Sequence, residues 1–222
     1  RQRVLVAQGL AQEADILLLD EPITGLDLPS RDCILDVIAE ERAAGRTVVD
    51  LDVQFPKLDL AWALGNLTGL RMDLEGLWPE CRDLLTKEIA FGLDMAEQLV
   101  NLETNARGEA TRTQANERMA ALFDEVDFVI CATNPDTAFP AHVSTNTRVG
   151  DQKVDLGNNG ALTIPANISG NPAVSIPIEP LDGLPVGMQI IGRHHQDQLL
   201  LDLALQVERS CPWPLVAPGA PR

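Results

Sequence analysis

Between Asn158 and Arg209 the chain alternates residues that stiffen the backbone with residues that free it. Pro165, Pro172, Pro177, Pro180 and Pro185 fix φ and remove hydrogen-bond donors. Gly160, Gly170, Gly183, Gly187 and Gly192 permit sharp turns and close approach. Two short apolar runs, Ala173 to Ile176 and Val186 to Ile191, lie between these breakers and read as buried strands. Asp182-Gly183 stands between them as a turn signal. Beyond Gly192 the period becomes helical, with Leu199, Leu203, Ala204 and Val207 on one face. Two buried strands and a covering helix follow from these residues.

The same stretch, NISGNPAVSIP followed by GLPVGMQIIGRHHQDQLLLDLA, resembles the C-terminal segment of the amidase signature family. That resemblance implies an α/β fold for residues 47–222: a partial mixed sheet with covering helices. It also implies descent from enzymes that hydrolyse carboxylic amides with a Ser–Ser–Lys triad, with a small amide as the parent family's substrate.

A second resemblance lies at the other end. Ile16 to Leu19 is an apolar run ending in Asp20-Glu21-Pro22, read as a buried strand whose carboxylates emerge at its C-terminal end. A helix is expected before it, from Gln2 to Ala11, and another after it, from about Pro29 to Ala44. QRVLVAQGLAQEADILLLDEPITGLD resembles the ATP-binding subunit of an ABC transporter, from the signature-motif tail through Walker B and the D-loop. The resemblance implies that Asp20 would hold Mg²⁺ through water and Glu21 would polarise the attacking water. Asp27 would face a partner subunit from the D-loop. A hard cation takes carboxylate oxygens, and phosphoryl transfer takes a positioned water. The pattern is incomplete: no G-x-x-x-x-G-K-[ST] loop is present, and the switch histidine that family expects after the Thr47-Val48-Val49 strand is missing, the nearest histidine being His142. Mg-ATP is therefore the cofactor only if this fragment retains binding; otherwise none is expected.

The two resemblances meet within residues 36–50, and Arg46 is taken as the boundary. The expected organisation is an ABC ATPase strand–helix fragment at 1–46 and the C-terminal part of an amidase signature domain at 47–222. Whether the first strand joins the amidase sheet or rests against it is left open. The chain starts at Arg1 rather than Met, so a fragment is expected, with an exposed hydrophobic sheet edge as its consequence.

Between these ends, Lys57 to Thr68 reads as a helix with Leu58, Leu60, Ala61 and Leu64 as its apolar positions. Pro79 suits the first turn of a second, through Cys81, Leu84, Leu85 and Ile89 to Leu93. Gly108 to Glu125 forms a third, with Ala115, Met119, Leu122 and Phe123 inward, and Val126 to Ala132 a buried strand. Residues 133–160 show little periodicity.

Charge narrows the function. With 17 basic and 33 acidic residues the net charge is −16, which argues against nucleic acid and anionic membrane as partners. No run reaches the roughly 18 apolar residues of a membrane helix. The cysteines at 33, 81, 131 and 211 are too scattered for a metal cluster, and a cytoplasmic setting is expected.

No residue is assigned a catalytic role in amide hydrolysis. A serine nucleophile needs an adjacent base and an oxyanion hole, and the family's G-G-S-S-G-G-type segment is not in this sequence. Ser175 reads as a structural hydroxyl in its strand. His194-His195 reads as a post-strand loop, because adjacent side chains diverge. Gln189 either hydrogen-bonds locally or faces the family's pocket. Trp213 is expected to pack the tail against the domain. The functional expectation is a truncated, chimeric relative of the amidases, inactive alone. Its alternatives are a residual Mg-ATP binder, or a half-enzyme completed by a partner chain that supplies the Ser–Ser–Lys segment.

Overall fold

Ile190 has no exposed surface, and the sheet is built around the strand that carries it. The computed structural model describes residues 16–20, 47–51, 53–154, 158–178, 180–181, 183–210 and 212–213. The helices expected at 2–11 and 29–44 lie outside the described residues.

Three parallel strands, β1 (Ile16–Asp20), β2 (Thr47–Leu51) and β3 (Phe128–Ala132), form one side of a five-stranded sheet. The two-residue strands β4 (Arg148–Val149) and β5 (Gln152–Lys153) pair separately. An antiparallel hairpin, β6 (Ala173–Pro177) and β7 (Gly187–Gly192), completes the sheet in the order β2-β1-β3-β7-β6. The open question about the first strand is thereby answered. β1 is an interior strand, with Leu18 opposite both Val49 of β2 and Val129 of β3.

The strand period of two divides β3 and β7 between two cores. Phe128, Ile130, Met188 and Ile190 face one way, together with Ile176 of β6, and pack against Leu200 and Leu203. Those leucines belong to the last helix, which is α5 (Asp197–Ser210) once α1 to α4 below are counted. Trp213 packs against this cluster, as the sequence predicted. The helix face is one residue from the expected one: Leu200 is buried beside Leu203, while Leu199 is only half-buried. Val129 and Ile191 face the other way, onto Met119, Leu122 and Phe123 of α3 (Leu102–Glu125) and Ala166 of α4 (Ile164–Ser169). With both faces covered, β3 and β7 are almost wholly apolar.

The inward face expected for α3 is correct at all four positions, but the helix begins six residues earlier than expected. Asn101 is the reason. Its side chain accepts from Glu103 N at 2.9 Å and Thr104 N at 3.0 Å, while Thr104 Oγ1 accepts from Asn101 N at 2.9 Å, forming a capping box. Asn101→Ala is expected to lower stability by about 1 kcal/mol, read from the urea midpoint.

Two other helices depart from expectation. α1 (Asp59–Asp73) buries none of its own residues: Leu60 is 60% exposed, and the buried anchor is Leu58, just before the first turn. The helix expected from Pro79 to Leu93 is a short 3-10 turn, Arg82–Leu84, followed by α2 (Lys87–Leu99). Thr86 caps α2 by accepting from Ile89 N, so Leu84 lies outside it and is 87% exposed. α2 turns Ala90, Leu93 and Ala96 inward. Its outer face is tied to neighbours by Arg71–Glu97 at 3.0 Å and Arg82–Asp94 at 2.6 Å, exposed pairs of modest worth.

Among the described residues β2 and β6 are the sheet's edges. Gly192 N donates to Pro172 O at 2.9 Å and Ile178 N to Val186 O at 3.1 Å. The even-numbered residues of β6 therefore bond inward, and Ala173, Ser175 and Pro177 turn their backbone groups outward.

Candidate functional site

The second face of the sheet is apolar under α3 and becomes polar toward the C-terminal end of β3. Cys131, Thr133, Ser175 and Gln189 meet there. The ladder carries on past β3, since Thr133 N donates to Gly187 O at 2.9 Å. Thr133 Oγ1 and Ser175 Oγ are 2.6 Å apart, reaching across β7 from either side. Glycine at 187 makes this contact possible. A Cβ there would stand 2.6 Å from Ser175 Oγ and 2.8 Å from Thr133 Oγ1, closer than real Cβ atoms come.

Gln189 makes the local hydrogen bonds that are one of its two expected roles. It is buried, and its Nε2 donates to Leu162 O at 2.9 Å and to Cys131 Sγ at 3.2 Å. That bond ties β7 to the turn before α4. The helix itself went unread in the sequence, although Pro165 in its first turn and Gly170 just past its end (φ 75°) mark it. Asn171 fastens the same corner: its Nδ2 donates to Gly192 O at 2.8 Å. His194 Nε2 lies 2.8 Å from Ser169 O, beside the end of α4. This agrees with the structural reading of His194-His195. Among the described residues no three His, Cys, Asp or Glu side chains are grouped to hold a metal. After β3 the loop is ordered by Asp136, whose carboxylate accepts from Thr137 N at 2.8 Å and Asn146 Nδ2 at 3.0 Å.

The chemistry open to this cluster is hydrogen bonding. An alcohol becomes a nucleophile when a neighbouring base takes its proton. Ser175 faces another alcohol. Thr133 escaped the sequence reading because its partner is 42 residues away and its strand ends one residue before it.

Asp20 is the last residue of β1, opposite Leu51, so the expected strand is present with the acidic residue at its C-terminal end. Glu21 and Asp27 lie outside the described residues. Among the described residues no helix is long and apolar enough to cross a membrane.

The sequence profile of the family described as Amidase matches residues 79–201, more than half of the chain. The chain belongs to the amidase family. This amidase-family chain is 37% identical over 108 residues to one subunit of the glutamyl-tRNA(Gln) amidotransferase of Thermosynechococcus vestitus, an alignment covering 48% of this chain and 21% of that protein. A bacterial aryl acylamidase of the amidase signature family superposes with a TM-score of 0.70 at 22% identity, over 94% of this chain and 46% of that one. The corresponding amidotransferase protein of Thermotoga maritima gives 0.57 at 20% identity, over 89% and 43%. The chain therefore spans about a fifth of the curated relatives it matches and just under half of the solved structures. The superpositions show the fold, a mixed α/β sheet of the amidase signature type.

Proposed function

We propose that this chain is a truncated relative of amide hydrolases, chimeric at its N-terminal end, that supplies the substrate-side wall of an amidase site and hydrolyses no amide alone. What carries the reading is the Thr133–Ser175 pair: the polar end of the sheet offers hydroxyls to bind a substrate amide, and among the described residues no base is hydrogen-bonded to either. The sequence also lacks a G-G-S-S-G-G-type segment. Purified chain is expected to give no turnover across a panel of small aryl and aliphatic amides, with Ser175→Ala leaving that baseline unchanged. Turnover abolished by Ser175→Ala would overturn the proposal, because the site would then be built from these hydroxyls.

A second reading is favoured by the open edge at β6, where Ala173 and Ser175 present outward backbone groups. There a partner chain carrying the Ser–Ser–Lys segment would complete the enzyme. Stable co-purification with such a chain supports it, and its absence from pull-downs counts against it.

The chimeric origin of residues 1–46 rests on the LLLDEP and TGLD motifs and on a strand that ends in Asp20. The family profile begins at residue 79, while the superposition on the aryl acylamidase covers 94% of the chain and does not set this segment apart, so the chimeric origin rests on the motifs against that superposition. Under this proposal Asp20 and Asp27 are the remnant cofactor-side residues and Glu21 the remnant catalytic one. Failure to bind Mg-ATP at millimolar concentration would end the idea of a retained nucleotide site.

A further inference from the structure

A pocket of about 170 Å³, partly open to solvent, lies beneath the sheet, between β3, β7, α3, the turn before α4 and the Val53–Phe55 segment. Its floor is Val129 and Ile191, its roof Met119 and Leu122 from α3, and its side Phe55. Exposed Ala161 stands at its rim. Two sulfurs border this surface, that of Met119 and that of Cys131, which already accepts from Gln189 Nε2 at 3.2 Å.

Protein interiors rarely leave voids larger than a water, because the lining atoms forfeit their contacts. Apolar cavities on the order of 150 Å³ stay dry and take up benzene-sized molecules. Charged molecules are disfavoured by the cost of desolvation against a mostly apolar lining. A thioether and a thiol beside the space favour an aromatic ring, since sulfur packs well at ring edges.

We infer that this cavity is a binding site for a small neutral aromatic molecule about the size of toluene. The site shares Cys131 with the polar cluster described above, but its test needs no turnover and so does not depend on the amide chemistry.

The four methionines make the test direct. Met119 alone among Met72, Met95, Met119 and Met188 lines the cavity, while Met188 faces the opposite core and Met72 is exposed. With ¹³C-methyl methionine in the full 222-residue chain, toluene is titrated and the four methyl signals are followed. The Met119 signal, assigned by its loss in Met119→Leu, is expected to shift saturably with a dissociation constant of about 1 mM or tighter. The other three are expected to stay in place. Benzoate, of similar size but charged, is expected to bind at least about tenfold more weakly. Val129→Phe fills the cavity and is expected to abolish the shift; if that variant does not fold, Ala161→Trp at the rim is expected to weaken binding. The inference is overturned by no saturable Met119 shift up to the solubility limit, by equal shifts at all four methionines, or by benzoate binding as well as toluene. Undiminished binding in a folded Val129→Phe or Ala161→Trp variant also overturns it.

Discussion

Ile190→Ala is expected to lower the unfolding free energy by about 3–5 kcal/mol, measured from denaturant midpoints at unchanged slope. Ile190 lies between β3 and β6, opposite Ile130 on one side and Val174 on the other. Its side chain sits in the cluster of Phe128, Ile176, Met188, Leu200 and Leu203. Truncation removes the transfer energy of three carbons and leaves a hole whose walls are strands held in register on both sides, so little can collapse inward. A domain stabilised by about 5–15 kcal/mol would lose a large share of its margin. Leu201→Ala, on the exposed side of α5, serves as the control and is expected to cost under about 1 kcal/mol. Equal losses at the two positions would mean that α5 does not cover this face.

The second large effect belongs to Gly187. Gly187→Val is expected to cost about 2–3 kcal/mol, through overpacking rather than loss of contacts. Valine's Cβ would be forced against both hydroxyls of the Thr133–Ser175 pair, so that contact must break or shift to admit it. The milder Gly187→Ala allows a double-mutant cycle. In a Ser175→Ala background the same substitution meets only Thr133, and the coupling between positions 175 and 187 is expected to be about 1 kcal/mol. Strict additivity would mean that the hydroxyl pair is not what glycine makes room for.

The elements legible in the sequence were those whose signals are local and repeated. β6 and β7 were bounded by Pro172, Pro177, Pro185 and Gly192. The inward face of α3 followed from the spacing of Ala115, Met119, Leu122 and Phe123. Where two local signals competed, the wrong one was chosen. Pro79 looked like a first-turn proline, but Thr86 offers a side-chain cap, and the helix starts there instead. In α5 a run of three leucines, 199 to 201, fits several helical faces, and only packing against Ile190 and Met188 selects Leu200. Leu60 has helical spacing without a partner surface, so periodicity alone could not reveal its exposure. The hydroxyl cluster was hidden for a different reason. It joins Ser175 and Gly187 from two strands to Thr133 just past the end of a third, and no sequence spacing encodes which strand lies between the other two.

The alternation along β6 has a further consequence. Of its three outward-turned residues, Pro177 has no N–H, so only Ala173 and Ser175 offer donors along that rim. A flat, continuous edge recruits any extended chain. This one has the grammar of a short lock: two donors two residues apart, with Pro172 before them and Pro177 after. An indiscriminate strand sliding along it would find no second register of equal quality, so the hazard expected of a bare edge becomes a preference for one short, correctly phased visitor.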